Sequence, residues 1–289
     1  MLQAGGFGCR RDSYLSQLAK LGYNLPVMQR LRKNIGKYLG DGIEIQRVLA
    51  EIKVAADSHG WNTEVFLKTP SFELFALKRR VKHPRKRVYI SGGIHGDEPA
   101  GPLAMLQMLQ ENRWPANTDI WICPCLNPTG FPLNSRQNAD GIDLNREYFK
   151  PKSKEIQAHI AWLQKQPKFD VSMSLHEDWE AEGFYLYELN PDAQPSFAKA
   201  IIQRVEEVCP IDMSLIIEGR PAVNGIICPT ADPRSRPDWP EAFYLITNKS
   251  RLSYTMEAPS DFQLVTRVAA EVAAVRAILE TSLPKQPAP

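Results

Sequence analysis

Apolar residues in this 289-residue chain change their spacing several times, and these changes narrow the choice of fold. From about residue 62, short segments rich in β-branched and aromatic residues are separated by segments with helical spacing. The strand pattern "RVYISGG" at 87–93, for example, is followed by the helical "EPAGPLAMLQMLQEN" at 98–112 and by the strand pattern "TDIWICP" at 118–124. Strands that alternate with helices predict a single-domain α/β fold with a mixed, mostly parallel β-sheet flanked by helices.

Helical patterns also occupy both ends of the chain. The segments at 12–22 and 44–60 each predict a helix that ends at a glycine. A capped amphipathic helix is predicted at 261–282, with Asp261 near its start.

These patterns predict the organisation of the chain. Residues 1–60 form a helical lead-in, residues 61–283 form the main domain and residues 284–289 form a disordered tail. We find no internal repeat and no linker that would divide the main domain.

Bulk composition argues against several classes of partner. The net charge is only +2, so no overall basic character favours nucleic acid or an anionic membrane. No signal-peptide pattern opens the chain, and no run approaches the roughly 20 apolar residues that a membrane-spanning helix needs. With five cysteines, an odd number, we expect a soluble cytoplasmic protein with free thiols. The oligomeric state is left open.

One basic run departs from this even charge distribution. "LKRRVKHPRKR" at 77–87 lies between two predicted strands and contains Pro84. We interpret it as the solvated tip of a hairpin, because no interleaved aromatic residues favour a nucleic-acid contact.

Three predicted strand ends carry residues that can bind metal or act as a base. His95 and Glu98 follow the strand at 87–93, His176 ends an apolar strand and Glu257 ends another. Ligands in α/β folds bind at the carboxyl ends of strands, so these side chains could meet in one pocket. Zinc accepts imidazole and carboxylate ligands, although H-x-x-E alone is a weak signal.

A polar loop at 135–149, "SRQNADGIDLNREYF", adds a second constellation. Arg136, Asn145 and Arg146 could form an anion-binding set, since the planar guanidinium matches a carboxylate. Asp143 could hold the imidazole of a metal-binding histidine from behind. The alternative without a binding role is a charged surface loop.

In this order the motifs resemble those of the zinc metallocarboxypeptidases of the carboxypeptidase A type, in particular the compact bacterial members. The matching stretches are "HGDE", "NPTG", "RQNADGIDLNR", "SLHED" and "YTMEAP". The resemblance implies that residues 61–283 form a zinc carboxypeptidase-like catalytic domain with a phosphorylase/hydrolase-like fold.

The resemblance also implies a role for each site residue. His95, Glu98 and His176 would bind Zn²⁺, and Glu257 would be the general base. Arg136 would stabilise the oxyanion and Asp143 would orient the His95 ring. Asn145 and Arg146 would hold the terminal carboxylate of the substrate.

The sequence departs from the family pattern in two places. Gly96 and Asp97 stand between the first two ligands, where digestive members carry an arginine. No tyrosine occurs in "PTADPRSRPDWP", where the family often has one, so that role stays unassigned among Tyr185, Tyr187 and Tyr244.

The expected activity is hydrolysis of the C-terminal amide bond of small peptides. The alternative is an N-acyl amino acid deacylase of the aspartoacylase and succinylglutamate desuccinylase type. In both cases the partner is a small peptide or an N-acyl amino acid with a free carboxylate, and neither nucleic acid nor membrane is expected.

Overall fold

A computed structural model describes residues 29–34, 38, 40–229, 232 and 235–281. The predicted helix at 12–22 and the predicted tail at 284–289 lie outside the described residues.

Strands form one large sheet and one small hairpin within the described residues. In chain order the strands are β1 (Asn62–Lys68), β2 (Glu73–Arg79), β3 (Lys86–Gly92), β4 (Thr118–Cys123), β5 (Val171–Asp178), β6 (Tyr185–Leu189), β7 (Ile216–Ile217), β8 (Arg220–Pro221), β9 (Ile226–Ile227) and β10 (Ser253–Pro259).

Helices cover both faces of the large sheet. They are α1 (Ile45–Ser58), α2 (Ala100–Glu111), α3 (Lys154–Lys165), α4 (Ala198–Val205), α5 (Glu241–Asn248) and α6 (Leu264–Glu280). Two short 3₁₀ turns lie at Phe131–Leu133 and Leu144–Arg146.

The order of the large sheet is β1-β2-β4-β3-β5-β10-β6-β9. Its centre, β4-β3-β5-β10, is parallel, whereas β1, β2 and β6 are each antiparallel to their neighbours toward the centre. The prediction of a mixed, mostly parallel sheet flanked by helices is therefore confirmed.

Two apolar cores lie on opposite faces of the sheet. Helices α1, α2, α4 and α6 bury the larger core against residues such as Ile90, Met173 and Met256. Helices α3 and α5 cover the other face, over Tyr89 and Trp121. Because side chains alternate between faces along a strand, the second face also carries His176 and Glu257, two residues along from Ser174 and Thr255.

Helix α1 contributes to the larger core. Ile45, Leu49 and Ile52 are buried there, and Trp61 packs beside them. The apolar stripe predicted for 44–60 is thus buried against the same core as the rest of the fold. A domain boundary at residue 60 stays a prediction.

The predicted hairpin at 77–87 is wrong. β2 and β3 are not neighbours in the sheet, because β4 lies between them. The basic run instead connects β2 to β3, which are separated in the sheet by β4. Within the run, the Arg79 side chain donates to the carbonyl of Pro115 at 2.9 Å. A local pattern that marks a turn between strands does not reveal that a later strand will insert between them.

Asp261 does not cap the C-terminal helix that was predicted to start near it. Helix α6 begins after Gln263 without a side-chain cap, and the Asp261 carboxylate accepts instead from the backbone N–H groups of Arg32 and Lys33. No helix among the described residues is long and apolar enough to cross a membrane.

Candidate metal centre and active-site cavity

The candidate site lies where three parallel strands end at the same edge of the sheet. β3 stops at Gly92, and the turn that follows carries His95 and Glu98 before α2 begins at Ala100. His176 and Glu257 are register partners near the ends of β5 and β10. The common direction of the strands therefore brings together the residues that the sequence placed at strand ends.

Gly96 allows the turn between His95 and Glu98 to pack closely at this edge of the sheet. A Cβ at Gly96 would lie 2.1 Å from the carbonyl carbon of Gly130, so no side chain fits there. Its N–H donates to the carbonyl of Ser135 at 2.9 Å. The turn between the two candidate ligands is thus packed directly onto the loop that carries Arg136.

His95, Glu98 and His176 form a compact buried group. Ligand-type atoms from the three side chains all lie within 4.8 Å of one another. The Nδ1 atom of His95 is 2.5 Å from one Glu98 oxygen, and the Nδ1 atom of His176 is 2.9 Å from the other. All three residues are less than a tenth exposed.

Charges within this group affect one another strongly. Burial opposes ionisation of Glu98, but His95 and His176 outweigh it and hold the pKa of this carboxyl well below its usual value. For His95, burial is outweighed by the Glu98 and Asp143 carboxylates, which raise the pKa. For His176, burial dominates and lowers the pKa.

This donor set fits a divalent metal ion of the zinc type. Two imidazoles and one carboxylate are the protein ligands typical of catalytic zinc sites, which leave one position open. The three residues open onto a cavity of about 650 Å³, which gives access to such a position.

Asp143 connects the metal candidates to Arg136. Its carboxylate lies 3.3 Å from Nε2 of His95 through one oxygen and accepts from Nε of Arg136 at 2.9 Å through the other. Burial acts against ionisation, but His95 and Arg136 hold the pKa of Asp143 well below its usual value. The Nη1 atom of Arg136 lies 3.8 Å from Glu98, so the guanidinium faces the metal candidates.

Asn145 and Arg146 lie on the 3₁₀ turn that Asp143 caps. The Asp143 carboxylate accepts from the backbone N–H of Asn145 at 3.0 Å. The Asn145 side-chain oxygen in turn accepts from the backbone N–H of Glu241 at 2.8 Å, which leaves its NH₂ group available. Both residues line the cavity.

Glu257 faces the same cavity from β10. Burial, together with the nearby charge of Glu98, raises its pKa well above the usual value. Tyr185 and Tyr187 also line the cavity, and burial with the Glu257 charge raises the pKa of Tyr187 to about 12. Tyr244 instead packs against Tyr148, with ring centres 5.9 Å apart, and does not line the cavity.

Asp97 is half-buried at the same edge. One of its carboxylate oxygens has no hydrogen-bond partner in the part of the chain that the structure describes. Burial, with the adjacent Glu98 charge, raises its pKa to about 6.

Sequence reasoning missed the cavity floor. Ser174 and Thr255 are register partners on adjacent strands, and each precedes His176 or Glu257 by two residues on the same face of the sheet. Both line the cavity. The alternation in "VSMSLHED" was a usable signal, because Ser172, Ser174 and His176 must share one face of the strand.

Comparisons with known proteins give matches to part of the sequence and to most of the fold. The family model of the succinylglutamate desuccinylase/aspartoacylase catalytic domain matches residues 84–219. Carboxypeptidase 2 of Trichophyton rubrum is 34% identical over 102 residues, which are 32% of this chain and 19% of that protein. The match thus spans about a fifth of that relative's length.

Solved structures share the fold. A protein from Shewanella denitrificans OS217, provisionally assigned as a metallopeptidase, superposes with a TM-score of 0.70 at 24% identity, covering 81% of this chain and 88% of that one. A metallo-carboxypeptidase from Burkholderia cenocepacia gives 0.64 at 18% identity, covering 83% and 69%. The sequence is thus similar to these proteins over part of its length, and the solved structures share its fold.

Proposed function

We propose that this protein is a zinc-dependent metallocarboxypeptidase that hydrolyses the C-terminal amide bond of small peptides. The observation that carries the proposal is the shared cavity, in which the three metal candidates face Glu257, Arg136 and the Asn145–Arg146 pair. Metal, base, oxyanion donor and carboxylate-binding groups are the parts that such a hydrolysis requires.

His95, Glu98 and His176 would hold the ion. When bound, zinc lowers the pKa of a coordinated water to about 7 and polarises the substrate carbonyl.

Glu257 then acts as the general base. Its carboxylate accepts a proton from the attacking water and returns it to the amine that leaves. A positioned carboxylate of this kind contributes roughly 10²–10⁴-fold to the rate. Its place beside His176, as register partner on the next strand, supports this role.

Arg136 stabilises the negative charge that develops on the carbonyl oxygen. Asp143 accepts from its Nε at 2.9 Å, and its Nη1 lies 3.4 Å from His95 and 3.8 Å from Glu98, beside the candidate metal ligands. Donors already in place for a developing oxyanion supply a large part of the acceleration in acyl transfer.

Asn145 and Arg146 would bind the terminal carboxylate of the substrate. The Asn145 amide is held by Glu241, and Arg146 is exposed to the solvent of the cavity. A carboxylate held here fixes the distance between the chain end and the bond that is cleaved, which makes the enzyme an exopeptidase.

A second candidate function is N-acyl amino acid deacylation. The match of residues 84–219 to the succinylglutamate desuccinylase/aspartoacylase model favours it. The same metal, base and carboxylate-binding residues would serve, and only the group on the other side of the amide bond would differ.

Metal content and substrate panels test both functions. The purified chain should contain about one zinc by mass spectrometry and hydrolyse either C-terminal peptides or N-acyl amino acids. Glu257→Gln should retain zinc and lose turnover by at least about 10²-fold. Glu218→Gln, which changes an exposed glutamate lining the same cavity, is the matched control and should retain turnover. Absence of zinc, or of turnover on both panels, would overturn the proposal.

A further inference from the structure

The N-terminal segment reaches the active-site cavity from outside the region that matches the family model. We use this name for the described residues 29–34, 38 and 40–44, whereas the match begins at residue 84. Tyr38 from this segment lines the cavity next to Asp97.

Asp261 attaches one end of the segment to the fold. Its carboxylate, only 2% exposed, accepts from the N–H groups of Arg32 at 3.1 Å and Lys33 at 2.8 Å. Nε of Arg30 donates to the same carboxylate at 3.1 Å. A buried carboxylate that accepts three hydrogen bonds fixes the backbone it binds.

A second attachment follows Tyr38. Asp41 pairs with Arg267, whose other end pairs with Glu177 in the core. Asn134 donates through its side-chain nitrogen to the carbonyl of Gly40 at 3.3 Å. Tyr38 therefore lies between two fixed points.

The phenol of Tyr38 contacts the metal turn directly. We use this name for residues 95–98, which begin with His95 and end with Glu98. The Tyr38 hydroxyl donates to the backbone carbonyl of Asp97, the residue before Glu98. On its other side the same turn is packed onto Gly130 and bonded to Ser135. The turn is thus held from two sides, by the loop before Arg136 and by Tyr38.

We propose that Tyr38 is a positioning residue whose hydroxyl fixes the metal turn and thereby the geometry of His95 and Glu98. This inference rests on the proposed metal-binding role of those two residues. Partners that orient metal ligands from behind typically affect metal affinity by 10–100-fold. Because Tyr38 acts on the backbone between the ligands, we expect the lower end of that range.

Glycines beside Tyr38 provide a second way to disturb the contact. A Cβ at Gly40 would lie 2.2 Å from the Tyr38 ring, so Gly40→Ala must displace that ring. A Cβ at Gly42 would meet nothing within 4 Å, so Gly42→Ala is a matched control. Tyr38→Phe removes only the hydroxyl.

Metal binding is the first measurement. Zinc affinity is determined by competition with a chromogenic chelator, and cobalt(II) absorption bands report the ligand geometry. Tyr38→Phe and Gly40→Ala should each weaken zinc binding about tenfold and shift the cobalt bands. Gly42→Ala should match the wild type in both. Wild-type affinity and spectra in the first two variants would overturn the inference.

Hydrogen exchange of the protein without added metal separates this inference from the proposed function. The N–H of Gly96, which donates to Ser135, should exchange faster in Tyr38→Phe and Gly40→Ala than in the wild type and Gly42→Ala. Amides of β5 should exchange equally in all four proteins, which shows that the fold is intact. If wild-type protein binds no zinc, the proposed function fails, and this exchange measurement alone decides whether Tyr38 holds the turn. Equal exchange at Gly96 in all four proteins would contradict it.

Discussion

Glu98 and Glu271 are both buried carboxylates, but their surroundings are opposite. Glu98 has an imidazole within 3 Å of each oxygen, and its pKa is held low despite burial. Glu271, on α6, is 0% exposed, and neither of its oxygens has a hydrogen-bond partner within the described part of the chain. Burial, with smaller contributions from Glu177 and Glu98, raises its pKa well above the usual value.

The comparison separates burial from stabilisation. A buried carboxylate is tolerated as a charge where partners surround it, and otherwise it takes up a proton. Glu98, which is paired with two imidazoles, marks the candidate site. Glu271, which has no hydrogen-bond partner among the described residues, lowers the stability of the fold. Four experiments test this distinction, from the largest expected effect to the smallest.

Breaking the buried pair of Arg267 and Glu177 should cost the most. Both side chains are fully buried, and Arg267→Met would leave Glu177 without its cation. We expect a loss of about 3–5 kcal/mol in the free energy of unfolding, measured by urea denaturation at pH 7. Arg204→Met removes an exposed pair with Glu280 and should cost less than about 1 kcal/mol. A similar loss of unfolding free energy in both variants would show that burial does not determine how much an ion pair contributes to stability.

Glu98→Gln should weaken metal binding. Structural zinc sites with four ligands bind with about 10–16 kcal/mol, so one ligand contributes about 3 kcal/mol, or at least 100-fold in affinity. Glu180→Gln, in the same cavity but outside the metal candidates, is the control. Equal zinc affinity in both variants would remove Glu98 from the ligand set.

Replacing Glu271 should have the opposite sign. Glu271→Leu removes a buried carboxyl whose oxygens have no hydrogen-bond partner among the described residues, and it should raise the free energy of unfolding by about 1–3 kcal/mol. Urea denaturation at pH 7 measures the change. A loss of stability would reveal partners that the structure does not show.

The pH dependence of stability should distinguish Glu271 from other acids. Because its folded pKa is raised, its contribution is fully present below the unfolded pKa near 4.5 and is lost as pH rises toward the folded value. The stability advantage of Glu271→Gln over the wild type should therefore grow above pH 5 by up to about 1.4 kcal/mol per pH unit. A constant difference between pH 5 and 8 would contradict the shift.

Strand ends were the predictable part of the site. His95, His176 and Glu257 each follow or end an apolar strand, and parallel strands necessarily end at one edge. Asp143 and Asn145 were identified from the polar "DLNR" stretch and its resemblance to the family motif, although their partners His95 and Glu241 lie 48 and 96 residues away. Local periodicity is enough to predict the strand ends, but it does not identify Asp143 or Asn145.

Contacts between distant segments outside the family motifs could not be predicted. Arg267 and Glu177 are 90 residues apart, and Tyr38 and Asp97 are 59 apart. No periodicity links such pairs, since they depend on where whole elements pack. The wrong prediction of a hairpin between β2 and β3 has the same origin. β4 lies between them, and strand order is a property of the assembled sheet.

Anomalous X-ray diffraction at the zinc edge, on crystals grown with zinc, tests the central claim most directly. The account predicts one anomalous peak per chain, about 2.0–2.2 Å from a nitrogen of His95, an oxygen of Glu98 and a nitrogen of His176. A peak elsewhere, or none at these side chains, would contradict the proposed metal site and the hydrolytic function built on it.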